Sequence, residues 1–222
     1  MSVCKKKKEL YAPIFEVGPK LYVYGKRALE IAQAADRAGE RYQVSVIFTA
    51  QYTDIRMIAD KTNHLMVFAQ HMDYLYPGRG VGAVLPEALK EAGAEGVLLN
   101  HSECPMDMDS IRKCMLRAKE VGLYTMVCAE NMDMAACIAR MEPDIILYEA
   151  PDMIEAEEEE QHPIEEIASV NERIAGIDPR IIVLHGAGIH DERDIYKIVK
   201  AGADATGSTS GIMKSEKPCE VT

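Results

Sequence analysis

The chain has 222 residues, of which 48% are hydrophobic, and its formal net charge is −11. This length suits one large α/β domain as well as two small ones, and the acidic balance excludes a basic face that could neutralise nucleic-acid phosphates. No apolar run approaches the about 18 residues of a membrane span, and no apolar segment follows the amino-terminal charges, so we expect a cytoplasmic protein without a membrane or nucleic-acid partner.

The cysteines and the amino-terminal lysines indicate the same kind of protein. Six cysteines lie at scattered positions without Cys-x-x-Cys spacing: Cys4, Cys104, Cys114, Cys128, Cys137 and Cys219. This pattern is typical of reduced thiols and argues against disulfides or a zinc site. Cys128, at a predicted strand end, is expected to be a small buried hydrophobe. The lysine run at 5–8 predicts a solvated, flexible tail over residues 1–10.

Short apolar runs alternate with amphipathic segments through the first half of the chain. In order, these predict a strand at 13–17, a helix at 25–39, a strand at 43–48, a short helix at 52–60, a strand at 65–68, a helix at 85–93 and a strand at 97–99. Asp54 is expected to cap the second helix, and a glycine-rich loop is predicted at 76–82.

The second half continues the alternation. It predicts a helix at 108–122, a strand at 124–128, a helix at 132–141, a strand at 144–148, a helix at 164–174, a strand at 180–184, a helix at 192–202 and a weak strand at 203–208. Asp109 or Ser110 is expected near the start of the helix at 108–122 and Gly122 at its end.

Eight strand–helix units at about 28 residues each favour a compact (β/α)8 barrel, an α/β fold that forms a single domain over residues 1–222. No linker or change in composition divides the chain. An open, doubly wound sheet remains the alternative.

Polar residues follow the fourth strand directly. Residues 97–99 form a continuous apolar run, typical of a strand that is buried on both faces, and Asn100, His101, Ser102 and Glu103 come next. Ligands bind at the carboxyl ends of the strands in parallel α/β folds. We therefore expect proton chemistry at this strand end.

Five segments together resemble the triosephosphate isomerase family, in particular its short, archaeal-type members. They are Ala69-Gln-His-Met-Asp, Pro77-Gly-Arg-Gly-Val-Gly, Gly93-Ala-Glu-Gly-Val-Leu-Leu-Asn-His-Ser-Glu, Tyr148-Glu-Ala-Pro and Gly186-Ala-Gly-Ile. The resemblance extends from about residue 13 to residue 218. Its most specific part is the order of His-Ser-Glu and Glu-x-Pro, each at the end of a strand.

The resemblance implies an aldose–ketose isomerase that moves a proton between adjacent carbons of a phosphorylated hydroxy-ketone. It assigns Glu149 as the catalytic base, His101 as the group that polarises the carbonyl and Lys20 as the cation that stabilises the enediolate. Glu103 is then the partner of Lys20. This division of labour between a carboxylate and a neutral histidine belongs to the family and is carried over from it.

The family also implies how the substrate and a second subunit are held. Backbone N–H groups near the last two strands grip the substrate phosphate, and they correspond to Gly186, Gly188, Thr209 and Ser210. The family needs neither a metal nor an organic cofactor. Its loop at 76–82 reaches into a neighbouring subunit, so we expect a homo-oligomer, either a dimer or a tetramer.

Two positions depart from the family pattern. Gly18 stands where the family has an asparagine two residues before the lysine. Glu155 replaces a glycine of the mobile lid whose N–H grips the phosphate, and a carboxylate within about 4 Å of a phosphate costs several kcal/mol. The run at 157–160 is all glutamate and is interpreted as a solvated helix start.

Three hypotheses remain open. The first is an isomerase that interconverts dihydroxyacetone phosphate and glyceraldehyde 3-phosphate. The second is an isomerase of another small sugar phosphate, such as a tetrulose phosphate, and the third is a barrel that binds ligands without turnover. Retention of Lys20, His101 and Glu149 argues against the third, because a binding protein has no need of all three.

Overall fold

Eight parallel strands form a closed barrel in a computed structural model that describes residues 8–149, 164–186, 189 and 191–221. The strands are β1 (Ile14–Val17), β2 (Ser45–Ala50), β3 (Met66–Ala69), β4 (Gly96–Leu99), β5 (Tyr124–Ala129), β6 (Ile145–Tyr148), β7 (Ile182–His185) and β8 (Ala205–Ser208). Each strand pairs with the next along the chain, and β8 pairs with β1. The predicted barrel is confirmed, and the open sheet is wrong.

Helices surround the barrel on the outside. In the described part of the chain they are α1 (Gly25–Tyr42), α2 (Ile55–Lys61), α3 (Pro86–Glu91), α4 (Met108–Val121), α5 (Met132–Ala139), α6 (Ile164–Ala175), α7 (Glu192–Lys200), α8 (Ser210–Met213) and α9 (Pro218–Val221). The first seven were predicted within a few residues of their ends. The sequence did not predict α8 and α9, which have four residues each and therefore show no helical periodicity.

Strand residues alternate between two cores, because successive side chains point to opposite faces. Inward residues such as Ile47, Leu98 and Leu147 fill the barrel, together with Cys128. Outward residues such as Val97 pack against the helices. Both faces of each strand are therefore covered, which explains the continuous apolar runs in the sequence.

Side-chain caps fix several helix starts, and one predicted cap is wrong. Asp107 caps α4, and its carboxylate accepts a hydrogen bond from the backbone N–H of Ser110; Asp109 and Ser110 lie near the start of this helix, as predicted. Asp54 precedes α2 but makes no cap bond to it. Its carboxylate accepts instead from the backbone N–H of Gly25 at the start of α1, 2.8 Å away. Asp54 thus joins the loops that follow β1 and β2.

The first described residues lie against the amino-terminal end of the barrel. The ammonium group of Lys8 donates to the carboxylate of Glu95 and to the carbonyl of Leu65, and Tyr124 donates to the carbonyl of Lys8. Leu10 packs on the barrel interior. The predicted tail is therefore attached at Lys8, and residues 1–7 lie outside the described part.

Two further findings concern the described residues only. Five cysteines are described, and all five are free thiols, with Cys128 and Cys114 buried. No helix among these residues has both the length and the apolar character needed to cross a bilayer.

Phe68 fills the barrel interior beside a strand position that has no side chain. Phe68 is fully buried and is paired with Gly96 in the β3–β4 ladder. A Cβ atom on Gly96 would lie 2.4 Å from the phenyl ring. This glycine thus lets β4 approach β3, and β4 leads directly into Asn100 and His101.

We expect Gly96→Ala to lower the free energy of unfolding by about 1–3 kcal/mol, because the new methyl group forces the ring of Phe68 out of place. Urea unfolding measures the change. The control is Gly176→Ala, at an exposed position after α6 where the nearest contact of a Cβ atom would be 3.3 Å. Equal stability of the two variants would contradict this account of the barrel core.

Candidate active site

A pocket of about 210 Å³ opens at the carboxyl ends of the strands. Lys20 lies beyond β1, His101 and Glu103 lie beyond β4, and Glu149 lies beyond β6; all four side chains line this pocket. Strands that are distant in the sequence contribute to it, and they meet only because the sheet closes. The four residues predicted for catalysis are therefore brought together.

Lys20 is held by its backbone and by its ammonium group. Its φ is +46°, in the left-handed region that a lysine rarely adopts. The side-chain amide of Gln70 donates to the carbonyl of Lys20, 3.0 Å away, which supports this conformation. The ammonium nitrogen lies 2.7 Å from Oε1 of Glu103, and this hydrogen bond lowers the pKa of the Glu103 carboxyl. Since both side chains are partly exposed, the pair positions the lysine more than it stabilises the fold.

His101 carries its proton on a defined nitrogen. The backbone N–H of Glu103 donates to Nδ1 of His101 over 3.0 Å, so Nδ1 is an acceptor and the proton of the neutral ring is on Nε2. Burial lowers the pKa of His101, and the positive charge of Lys20 lowers it further, against the opposing effect of Glu103. The neutral imidazole is therefore favoured, and it presents Nε2–H as a donor.

Glu149 faces His101 across the pocket. Its Oε2 lies 4.0 Å from Nε2 of His101, which is beyond hydrogen-bond range, so both groups face the same space. Burial raises the pKa of Glu149 above its usual value, Lys20 opposes this shift and Glu103 adds to it. A Cβ atom at Gly186 would lie 2.7 Å from Oε1 of Glu149, so the missing side chain there leaves room for the carboxylate.

Asn100 and Ser102, unlike His101 and Glu103, do not line the pocket. Asn100 adopts a left-handed conformation with φ of +58°, which asparagine tolerates better than most residues. Its amide donates to the carbonyl of Cys128, and its oxygen accepts from the backbone N–H of Met106. Asn100 thus anchors the loop that carries His101. Ser102 is exposed and does not line the pocket.

The residues predicted to bind phosphate are only partly described. Gly186 and Thr209 line the pocket, whereas Ser210 begins α8 and does not line it. The backbone N–H of Gly186 donates a long hydrogen bond of 3.4 Å to the carbonyl oxygen of Tyr148, which a phosphate would have to share or replace. Gly188 and Glu155 lie outside the described residues. The phosphate site stays a prediction.

The polar residues of the pocket that sequence reasoning missed include Gln70, Thr49 and Glu16. Gln70 joins two strand ends, since its amide also lies 3.3 Å from the carbonyl of Thr49. Glu16 lies on β1, and its carboxylate accepts a hydrogen bond from the hydroxyl of Thr49 over 2.5 Å. A glutamate inside an apolar strand was the available signal, because a charged residue in a strand buried on both faces requires a reason.

The arrangement suits proton transfer. A carboxylate of raised pKa faces a neutral imidazole donor and an ammonium group, the three elements that removal of a carbon-bound proton beside a carbonyl requires. Within the described residues, no group of three or more histidine, cysteine, aspartate or glutamate side chains could hold a metal ion.

The chain is similar to known proteins over nearly its whole length. A family model described as triosephosphate isomerase matches residues 19–221. The triosephosphate isomerase of Sulfurisphaera tokodaii is 33% identical over 212 residues, which cover 93% of this chain and 90% of the relative. That of Metallosphaera sedula is 34% identical over 213 residues, covering 94% of this chain and 92% of the relative.

A solved structure shows the same fold at lower identity. The triosephosphate isomerase of Bartonella henselae superposes with a TM-score of 0.73 at 17% identity, over 91% of this chain and 94% of that chain. The family match and the two archaeal relatives cover nearly the whole sequence and establish the relationship. The chain therefore belongs to the triosephosphate isomerase family, a family of aldose–ketose isomerases.

Proposed function

We propose that this protein interconverts dihydroxyacetone phosphate and glyceraldehyde 3-phosphate through an enediolate. Glu149 removes the proton from one carbon and returns it to the next. His101 donates from Nε2 to the substrate oxygens, and Lys20 stabilises their negative charge. The observation that carries this proposal is the 4.0 Å approach of Nε2 of His101 to Oε2 of Glu149, with Nδ1 occupied by the backbone N–H of Glu103.

Both shifted pKa values support these roles. A proton beside a carbonyl is too weakly acidic for a carboxylate to remove unless the developing oxyanion is stabilised. A neutral imidazole with a lowered pKa and the ammonium of Lys20 supply two donors for that oxyanion. Burial raises the pKa of Glu149, which makes this carboxylate a stronger base than an exposed glutamate.

The remaining contacts follow from the family. We propose that the substrate phosphate binds beside β7 and β8, where the backbone at Gly186, Gly188, Thr209 and Ser210 supplies N–H donors. Thr209 lines the pocket on that side. The reaction as proposed uses no metal or organic cofactor, and its site of action is the cytoplasm.

A homo-oligomer also stays a proposal. The loop at 76–82, through which the family associates, carries two large hydrophobic side chains with high exposure, Tyr76 at 62% and Val81 in full. Packing of this loop against a second copy would cover both side chains. The mass of the protein in solution decides between a monomer and an oligomer.

A second substrate class is supported by the sequence departures. Gly18 lines the pocket in place of an asparagine, and Glu155 stands where the family lid has a glycine. These changes favour a ligand held differently from a triose phosphate, such as a tetrulose phosphate. Lys20, His101 and Glu149 would perform the same proton transfer on it.

A panel of three- to five-carbon aldose and ketose phosphates separates these possibilities. We expect the unmutated protein to isomerise glyceraldehyde 3-phosphate with the highest kcat/KM, measured by coupled assay and by NMR of the products. A higher kcat/KM for a four-carbon substrate would favour the second class. Absence of turnover with every member of the panel would contradict both.

Removal of the proposed base tests the mechanism. We expect Glu149→Gln to lower kcat by about 10²–10⁴-fold, because the amide cannot accept the carbon-bound proton. Glu149→Asp keeps a carboxylate but places it farther from the substrate, so its decrease in kcat should be smaller than that of Glu149→Gln. The matched control is Glu130→Gln, since Glu130 also follows a strand end but is exposed and does not line the pocket. Unchanged turnover in Glu149→Gln would exclude this residue as the base.

The protonation state of His101 is open to direct measurement. Since burial and Lys20 lower its pKa, the neutral ring should persist as the pH falls, and its titration midpoint should lie below 6.5. NMR of the imidazole ¹⁵N nuclei, assigned with His101→Gln, measures this midpoint. Lys20→Met should move it upward, because the nearby positive charge is gone. A midpoint at or above 6.5 in the unmutated protein would exclude a permanently neutral histidine.

A further inference from the structure

Glu16 places a carboxyl group at the foot of the pocket. It follows Ile14 by two residues on β1, so its side chain points into the barrel on the same face as Ile14. Leu98 and Leu147, from β4 and β6, line the same pocket with apolar side chains. A charged residue in such surroundings is unfavourable unless it has a specific partner or a specific task.

Two glycines provide the space that this carboxyl group occupies. A Cβ atom at Gly18 would lie 2.9 Å from Oε1 and 3.1 Å from Oε2 of Glu16. A Cβ atom at Gly207, the partner of Glu16 in the β1–β8 ladder, would lie 2.7 Å from the carbonyl oxygen, 2.8 Å from Cβ and 3.0 Å from Oε2 of Glu16. Neither glycine has a positive φ. Glycine is therefore required at these two positions because a side chain would clash with Glu16, and not because of the backbone conformation.

One carboxyl oxygen is fixed and the other is available to a ligand. The hydroxyl of Thr49 donates to Oε1 over 2.5 Å. Oε2 has no hydrogen-bond partner among the residues that the structure describes. Because Thr49 donates to Oε1, the proton of a neutral Glu16 belongs on Oε2. A neutral Glu16 thus presents an O–H donor to the pocket.

The surroundings make Glu16 neutral over part of the physiological pH range. Burial raises its pKa to about 7; the bond from Thr49 opposes this, the negative charge of Glu149 adds to it and Lys20 opposes it. The titratable groups around it come from three other elements as well as the segment after β1: Lys20, His101, Glu103, Cys104, Cys128 and Glu149. The segment at the end of β8 contributes Gly207 and Thr209, which carry no charge.

Glu16 also lies beside the predicted phosphate site. A Cβ atom at Gly18 would lie 2.9 Å from Oε1 of Glu16. The same atom would lie 3.1 Å from the hydroxyl oxygen of Thr209. The carboxyl group and the hydroxyl of Thr209 therefore both lie beside the space that a side chain at position 18 would occupy. An ionised Glu16 would repel an anion bound there, whereas a neutral Glu16 would donate a hydrogen bond to it.

We propose that Glu16 is a substrate-contacting residue, which binds the anionic group of the substrate by a hydrogen bond from protonated Oε2 and must take up a proton to do so. This inference rests on the proposed phosphate-bearing substrate. It gives Gly18 a purpose, because an asparagine at that position would occupy the space of the carboxyl group.

The proposal determines how anion affinity depends on pH. Only the protonated form of Glu16 binds the anion, so the affinity is constant well below pH 7 and decreases as Glu16 ionises. At a pH well above 7 the loss approaches about tenfold per pH unit. Sulfate is the appropriate probe, because its charge stays constant over this range while that of phosphate changes near pH 6.

The experiment compares sulfate binding to the unmutated protein and to Glu16→Gln between pH 5.5 and 8.5, by NMR titration of the backbone amides. The glutamine is always neutral and keeps an N–H donor toward the pocket. We expect similar affinities at pH 5.5 and about 30-fold tighter binding to Glu16→Gln at pH 8.5, because about one part in 30 of Glu16 is protonated there. Other groups that titrate in the pocket affect both proteins, so the difference between them isolates Glu16. Glu40→Gln, an exposed position on α1, should behave like the unmutated protein.

Thr49→Val is a second variant, for which the proposal predicts the direction of the change in the pKa of Glu16. The bond from Thr49 stabilises the ionised form of Glu16, so its loss should raise the pKa of Glu16 and move the decrease in sulfate affinity to higher pH. A simple loss of packing would weaken sulfate binding equally at every pH. Such a uniform loss would count against the proposal.

A stability measurement without any ligand shows whether Glu16 titrates. The pKa of Glu16 is raised in the folded state, so its stabilising contribution is present below about 4.5 and is lost as the pH rises through about 7. Relative to Glu16→Gln, the unmutated protein should therefore lose stability over that interval.

Two results would overturn the proposal. The first is sulfate affinity that changes with pH in the same way in the unmutated protein and in Glu16→Gln. The second is absence of sulfate binding at pH 5.5. Turnover of the sugar-phosphate panel is decided separately, so an active isomerase with either result would exclude the role of Glu16 alone and leave the proposed function standing.

Discussion

Closure of the sheet between β1 and β8 is the constraint on which the site depends. The two strands pair over four residues, from Ile14 with Ala205 to Val17 with Ser208. This pairing brings the lysine beyond the first strand to the same mouth as the carboxylate beyond the sixth. It also sets Glu16 opposite Gly207, so the ladder that completes the barrel decides which side chains meet at the foot of the pocket.

Loops fix the functional groups by using their backbone polar atoms. The amide of Asn100 connects the loop after β4 to β5, and the amide of Gln70, which follows β3, contacts the loop after β1 and the end of β2. Each contact joins a loop of the pocket to a different strand end rather than to its own strand. Displacement of one strand end would therefore also displace the strand end bonded to it. These contacts hold the residues of the pocket in fixed positions relative to one another.

The fold and much of the site follow from the sequence, for identifiable reasons. Strands buried on both faces leave apolar runs, and these located β1 to β7 without knowledge of their pairing, whereas β8 was predicted only as a weak strand. Family motifs located His101, Glu103 and Glu149, which line one pocket. Glu16 was not predicted as a site residue, because its role depends on its contacts with Gly18, Gly207 and Thr49. Only closure of the barrel brings these residues together. The cap at Asp54 was misassigned because its partner, Gly25, is 29 residues away.

Glu103 serves the two donors of the site by two different atoms. Its backbone N–H holds the proton of the imidazole on Nε2, while its carboxylate holds the ammonium of Lys20. The first contact is available to any residue other than proline, and the second requires an acidic side chain. The tautomer of the histidine is thus insulated from side-chain substitution at position 103, and the placement of the lysine is not. A substitution at position 103 would therefore displace the ammonium group of Lys20, whereas the proton of the neutral imidazole of His101 would stay on Nε2.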